Sequence, residues 1–340
     1  MVLALVLLVL LGLSVLGNLG QFAGDIVSVK GVHTRTAGPK LEEAVLEDND
    51  AGNKIAVVDI DGIITSRGDD QNGYNMVDVV KAQLDRARDD SKVKAVVLRV
   101  DSPGGEVLAS DEIYRALVDF QKDSGKPVIT SMGNLAASGG YYVSLASRWI
   151  VANDLTITGS IGVILHTWNY RALMDKVGLQ PEVYKSGRFK DMLSGERNPA
   201  EIPPEEREMV QALIDETYAR FQGVVEDGRD SAHQRNKSEG KALADNWKDY
   251  ADGRVLSGTQ AYDLGFVDER GTFQDAVSRA KKIAGIHGAN LIQYQKRYDL
   301  SNFLRLFGKS QAPVIKVDLG MEMPQIEAGQ LYFLSPAFLH

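Results

Sequence analysis

The sequence predicts an α/β layered domain with mostly parallel strands, preceded by one N-terminal transmembrane helix. Three observations carry this. From Lys54 onward, short Val- and Ile-rich runs alternate with stretches of helical spacing. Runs such as "KAVVLRV" are apolar enough to be buried strands, as in sheets covered on both faces. The chain also opens with "MVLALVLLVLLGLSVLGNLGQFAG", which has no charge before Asp25.

That opening run could reach about 36 Å as a helix, enough for a hydrocarbon core of about 30 Å. It lacks the positive start and the Ala-x-Ala-like site of a cleaved signal peptide, so a retained anchor over residues 1–24 is expected. Residues 25–52 are mixed and turn-rich and read as a stalk. The main domain spans residues 53–287, with an irregular tail over 288–340 that ends in the apolar "QLYFLSPAFLH".

Within the domain, "KIAVVDIDGII", "KAVVLRV" and "KPVITSMG" read as strands. "VVKAQLDRARDD" and "EVLASDEIYRALVDFQKDSG" read as helices, the second closed by glycine. The alternation continues through "RWIVAND", "TGSIGVIL", a helix near "NYRALMDKVGL" and a strand at "QPEVYKSG". A long charged helix is expected from about Pro203 to Asp227, opening with Pro-Pro-Glu-Glu. Compact structure returns at "GRVLSGTQAYDLGFVDERG".

Composition excludes several functions. The 340 residues are 44% hydrophobic and 25% charged, with a net charge of −8 and no basic run, so nucleic acid is not an expected partner. With no cysteine, disulfides, thiolate metal sites and a cysteine nucleophile are impossible. The five histidines are scattered with no paired spacing, and no metal or other cofactor is expected. His166 lies nearest a glycine-marked turn and is read as structural.

Two strands end in glycine-rich turns. "KAVVLRV" runs into Asp101-Ser102-Pro103-Gly104-Gly105, and "KPVITSMG" runs into "NLAASGGYYVSLAS". In open α/β sheets, sites form at the carboxyl ends of strands. Small residues around Ser138 would let a serine sit on a sharp turn with backbone amides close by, as a nucleophile requires. On that reading Gly105 and Gly139 supply the two N–H donors for an oxyanion. The same residues are also compatible with tight turns and no chemistry. A serine needs a base, and a lysine can serve if burial keeps it neutral. Lys190 in "KSGRFKDML" is a candidate because it follows a Ser-Gly turn, although the residues alone also fit a surface lysine.

The ordered set "RVDSPGG", "GNLAASGGYYVS", "TGSIGV", "SGRFKD" and "GRVLSGTQAYDLGFVDE" resembles the signal peptide peptidase A family of serine proteases, over roughly residues 54–285. The resemblance implies a Clp protease/crotonase-like fold and a Ser–Lys dyad, with Ser138 as nucleophile and Lys190 as general base. Ser160 matches the serine that orients the lysine amine. The single catalytic domain looks like the short form of the family, which implies a ring-shaped homo-oligomer whose serine and lysine meet across a subunit boundary. It further implies peptide substrates, in particular remnant signal peptides. With the anchor contacting membrane lipid, it implies a single-pass protein of a bacterial cell membrane, its catalytic domain on the extracytoplasmic side. Substrates rich in Leu and Ala suggest small or apolar residues at the primary pocket. Two other readings compete: a crotonase-like acyl-CoA enzyme, which would need no serine–lysine pair, and an inactive membrane-anchored scaffold.

Overall fold

The computed structural model describes residues 38–68, 74–296 and 331–334. The expected N-terminal transmembrane helix lies outside these residues. Among the described residues, no helix is long and apolar enough to cross a membrane.

In chain order the strands are β1 (Leu41–Glu47), β2 (Lys54–Asp61), β3 (Val93–Ser102), β4 (Gly104–Glu106), β5 (Val128–Ala137), β6 (Trp149–Ala152), β7 (Ile157–Gly159), β8 (Ile164–Leu165), β9 (Val255–Ser257), β10 (Glu269–Arg270), β11 (Asn290–Lys296) and β12 (Leu331–Leu334). The helices are α1 (Met76–Asp89), α2 (Val107–Ser124), α3 (Gly139–Ser144), α4 (Arg171–Val177), α5 (Pro204–Arg235), α6 (Gly258–Asp263) and α7 (Phe273–Ala284).

The main sheet runs β1-β11-β2-β3-β5-β6-β10, with β7 added to β5 and β9 to β7. Its central pairs are parallel, and only β1–β11 and β7–β9 are antiparallel. Parallel neighbours need crossovers, which is why strand and helix alternate in the sequence. Both faces are covered. One face of β2 and β3 packs Ala56, Val58, Ile60, Val96, Leu98 and Val100 into the larger core with α1, α2, α3 and α5. The other face packs Ile55, Ala95 and Val97 against Ala276, Val277 and Ala280 of α7. Double burial makes these strands apolar at almost every position.

β5 changes partner part-way. Ile129–Met132 pair with β6, whereas Leu135–Ala137 pair with β7. Side-chain hydroxyls sew the second half down. Thr158 Oγ1 donates to Ala136 O at 2.7 Å, and Thr156 Oγ1 to Gly133 O at 2.7 Å. The carboxyl end of β5, which delivers Ser138, is thus held on the sheet by three residues of β7.

Several elements depart from the sequence reading. The stalk segment contributes β1, and the tail contributes β11 to the main sheet and β12 to a separate three-stranded sheet ordered β4-β12-β8. The strand expected at "QPEVYKSG" does not form. Val183 and Tyr184 are exposed there, and no strand pairs with them. Residues 166–203 make an arm in which α4 buries no residue and Trp168, Leu173, Val177 and Tyr184 are exposed. Helix α5 runs on past Asp227 to Arg235 because its last turns are anchored. Arg229, fully buried, donates to both oxygens of Asp268 at 2.8 and 2.6 Å and to the carbonyls of Gly265 and Lys241. A buried charge this well paired fixes the end of α5 against the β6–β10 side of the sheet.

Candidate active site

The site is built where β3 and β5 end side by side. Ser102 of β3 is registered with Ala136 of β5. Beyond them the two glycine turns meet. Asp101 holds them in place: its carboxylate accepts from Leu135 N at 3.1 Å and from Asn134 Nδ2 at 3.5 Å. Ser102 Oγ accepts from Gly104 N at 3.1 Å, which folds the "DSPGG" turn back on itself.

Ser138 sits at the corner between β5 and α3 with φ 53° and ψ −115°. A serine gains nothing locally from that conformation, which costs about 1–3 kcal/mol and persists only where the surroundings impose it. The surroundings are visible. Ser138 N donates to Gly159 O at 2.8 Å, and Ser138 O accepts from Tyr142 N at 2.8 Å, starting the helix. Ser138 is 1% exposed, and its Oγ has no hydrogen-bond partner among the described residues. The hydroxyl is therefore unengaged at a strained strand-to-helix corner.

The glycines around it are needed for close approach. A Cβ on Gly139 would stand 2.7 Å from Ser110 Oγ and 3.1 Å from Gly105 N. Gly104, at φ 101°, has Gly139 N only 2.6 Å from where its Cβ would be. The amide regions of Gly105 and Gly139, expected as the donor pair, are thus brought against one another. Gly105 lies in β4, bridged on one side to Ile64 and registered on the other with Phe333.

Ser160 follows β7 with φ 50° and is 5% exposed, and its N–H donates to Arg254 O at 2.7 Å. Lys190 is placed differently. It is exposed, on a turn of the arm where Lys190 N donates to Gly187 O at 3.1 Å, and within one chain it makes no hydrogen bond to Ser138. The structure therefore brings Ser138, Gly139 and Gly105 together, sets Ser160 on the adjoining strand end, and leaves Lys190 apart from them. His166 is exposed. No group of residues able to hold a metal occurs among the described residues.

Two supporting groups were not singled out by the sequence reading. Glu106, 8% exposed, accepts from Thr65 Oγ1 at 3.0 Å, Ser66 N at 2.9 Å and Ser66 Oγ, so it clamps the loop after β2 onto β4. Asp111 of α2 accepts from the Tyr142 hydroxyl at 2.7 Å. Burial raises the Asp111 pKa, but the hydroxyl, Arg115 and Arg220 together bring it below the ordinary 3.8. Burial, reinforced by Asp111, pushes the Tyr142 phenol well up, so it stays protonated and donates. The only sequence signal for either acid was its place beside a glycine motif or one turn into the following helix.

An unengaged serine on a strained corner, with crowded glycine amides beside it, defines the class: a hydrolase built around a serine nucleophile. Comparison with known proteins narrows this. The model of peptidase family S49 matches residues 120–287. A protein of Enterococcus faecium named for signal peptide peptidase SppA is 36% identical over 260 residues, covering 75% of this chain and 71% of its own length. A protease-named protein of Synechocystis is 40% identical over 233 residues, covering 68% and 75% respectively. Among solved structures, a ClpP1 mutant from Listeria monocytogenes matches with a TM-score of 0.38 and 19% identity, over 65% of this chain and 94% of its own. The chain belongs to peptidase family S49.

Proposed function

We propose that this peptidase is a membrane-anchored serine endopeptidase that hydrolyses remnant signal peptides and other unfolded chains, with Ser138 as nucleophile and Lys190 as general base. The observation that carries the reading is the Ser138 corner: strained, buried and without a hydrogen-bond partner for its hydroxyl. Ser138 Oγ attacks the scissile carbonyl carbon while its proton passes to the Lys190 amine. The carbonyl oxygen becomes an oxyanion between the Gly105 and Gly139 amides. Collapse breaks the C–N bond, and Lys190 returns the proton to the leaving amine. Water then attacks the acyl-enzyme, losing its proton to Lys190, and Ser138 is released.

Lys190 comes from a neighbouring subunit. It lies on the arm whose apolar residues Trp168, Leu173, Val177 and Tyr184 are exposed in the single chain, and such a surface fits contact with another copy. A closed ring of head-to-tail contacts would leave none of these surfaces bare and would enclose the sites. Ser160, at the neighbouring strand end, would orient the incoming amine. The uncharged run before Asp25 supports the anchor, and a relative named for signal peptide peptidase supports the substrate class.

Fluorophosphonate labelling and peptide hydrolysis by the full chain, beside its Ser138→Ala form, test the reading. The native chain should label at Ser138 and cleave, and the variant should do neither. An unlabelled native chain would leave the scaffold or the acyl-CoA reading.

A further inference from the structure

Lys190 stands on an exposed turn, yet the chain on either side of it is tied to one carboxylate. Asp191, the next residue, accepts from Lys185 Nζ at 2.7 and 2.8 Å through its two oxygens. From the other side the Arg197 guanidinium approaches it at 3.5 Å. Between these cations the chain turns repeatedly. Lys190 N donates to Gly187 O at 3.1 Å, Met192 N to Phe189 O at 3.0 Å and Ser194 N to Asp191 O at 3.1 Å. Residues 185–197 are therefore gathered around Asp191, whose side chain is 12% exposed, while Lys190 stays outside.

This loop is in turn fixed to the start of α5. Arg197 Nη1 donates to Glu206 Oε2 at 2.6 Å, and Glu206 Oε1 accepts from Leu193 N at 3.4 Å. Glu206 is buried in the first turn of α5, where a helix N-terminus favours negative charge. Leu193 is held at φ 66°, a left-handed conformation that a branched side chain adopts only where its surroundings impose it. The beginning of the arm grips the same segment. Asn169 Nδ2 donates to Arg197 O at 2.9 Å, and Tyr170 N donates to Gly195 O at 2.8 Å. Arg171 and Asp175 of α4 differ: they form a partly exposed i,i+4 pair with each other, a kind that contributes little.

We propose that Asp191, Arg197 and Glu206 are positioning residues for Lys190, a clasp of ionic contacts that carries the fixed start of α5 out to the amine. A buried ion pair adds little net stability, and what this one supplies is geometry. The base must come within hydrogen-bond reach of Ser138 Oγ, and a displacement of about 1 Å can cost about 100-fold in rate. Packing alone does not define that distance, because α4 buries no residue and Trp168 and Tyr184 are exposed in the single chain. Lys185 and Arg197 occupy the Asp191 carboxylate, so it braces the loop instead of capturing the amine beside it. The inference rests on the serine–lysine reading above.

The test uses the full chain, with peptide hydrolysis and fluorophosphonate labelling of Ser138 as readouts. Asp191→Asn and Arg197→Ala should each lower kcat about 10–100-fold and slow labelling by a like factor, with KM held within about twofold. Arg171→Ala should change neither. Arg197→Ala strands the Glu206 charge, so a paired change, Arg197→Met with Glu206→Gln, removes the link without leaving a buried charge. That chain should unfold in urea near the native midpoint and still lose kcat. Mixed chains then separate positioning from assembly. Chains with Ser138→Ala supply the lysine, and chains with Lys190→Ala supply the serine. The paired change should remove most of the recovered activity when placed in the lysine-supplying chain, and spare it in the serine-supplying chain. Equal loss from either side, or native kcat in the paired variant, would overturn the clasp. A raised KM with unchanged kcat would overturn it as well. Failure of the underlying reading looks different. Lys190→Ala would then keep its activity, which removes both the base and its clasp. A parent mixture that recovers nothing after confirmed exchange would instead overturn the cross-subunit dyad, and the kcat loss alone would decide the clasp.

Discussion

Ser138 and Ser160 occupy equivalent places on neighbouring strands: Ala137 and Gly159 are partners in the parallel β5–β7 register, and each serine is the residue that follows, with φ of 53° and 50°. The two strained corners are tied by one hydrogen bond, Ser138 N to Gly159 O at 2.8 Å. The end of β7 therefore sets the position of Ser138 and presents a second hydroxyl-bearing residue beside it. Ser138→Ala should reduce hydrolysis by several orders of magnitude, as loss of a nucleophile does. Ser160→Ala should cost less, about 10–100-fold in kcat, and should displace the pH–rate profile because the base loses its orienting partner. Stopped peptide assays across pH check both, and an unmoved profile with Ser160→Ala would remove Ser160 from the mechanism.

Lys190 and Ser138 should complement across subunits. Chains with Ser138→Ala and chains with Lys190→Ala are each expected to be inactive. Mixed under conditions that allow exchange, some boundaries then carry both intact partners, and activity should return. Confirmed exchange with no activity would mean that each chain builds its own dyad. Lys190→Arg should be as damaging as Lys190→Ala, since a guanidinium keeps its proton.

Gly104→Ala should both destabilise and inactivate. The residue is at φ 101°, where a side chain is strained by about 1–3 kcal/mol, and the added methyl would meet Gly139 N at 2.6 Å. Urea unfolding should show the loss in midpoint. Peptide assay below the transition should show inactivity in the fraction that remains folded, because the Gly139 amide cannot keep its place.

Acid should release the Asp111 anchor. The carboxyl has a folded pKa below its ordinary 3.8, the hydroxyl of Tyr142 with Arg115 and Arg220 outweighing burial. A depressed folded value means that the stabilisation is complete above about pH 4, the unfolded range, and is lost as pH falls through the folded value. Asp111→Asn should therefore unfold at lower urea than the native chain at pH 7, and the gap should narrow at pH 3. A gap that is constant with pH would show that the carboxylate charge is not what holds Tyr142.

Much of this was legible in the chain because double burial and parallel pairing leave strong local marks. β2, β3 and β5 read as strands from their own apolar runs, and the turns at Gly104 and Ser138 read from their glycines. What failed to show was set by distant partners. β1 and β11 each look ordinary, and distant pairing makes them sheet: β11 joins β2, and β1 joins β11 with Leu41 against Lys296 through Glu47 against Leu291. The roles of Glu106 and Asp101 depend on the loop after β2 and on the end of strand β5, not on neighbours in sequence. Val183 and Tyr184 have strand-forming side chains but no edge to join.

The β1–β11 pair also bears on where this domain can be cut. Residues Leu41–Glu47 are the outermost strand and cover one edge of β11, and Lys54 of β2 reaches back to Glu43 at 2.7 Å. A fragment beginning near residue 50, just where the apolar-run pattern starts, would strip that cover. It would bare a row of unpaired N–H and C=O groups along β11, a template for joining another molecule edge to edge. The folding unit therefore starts before Leu41. A water-soluble form that omits the apolar leader needs the short acidic strand as its natural guard against self-association.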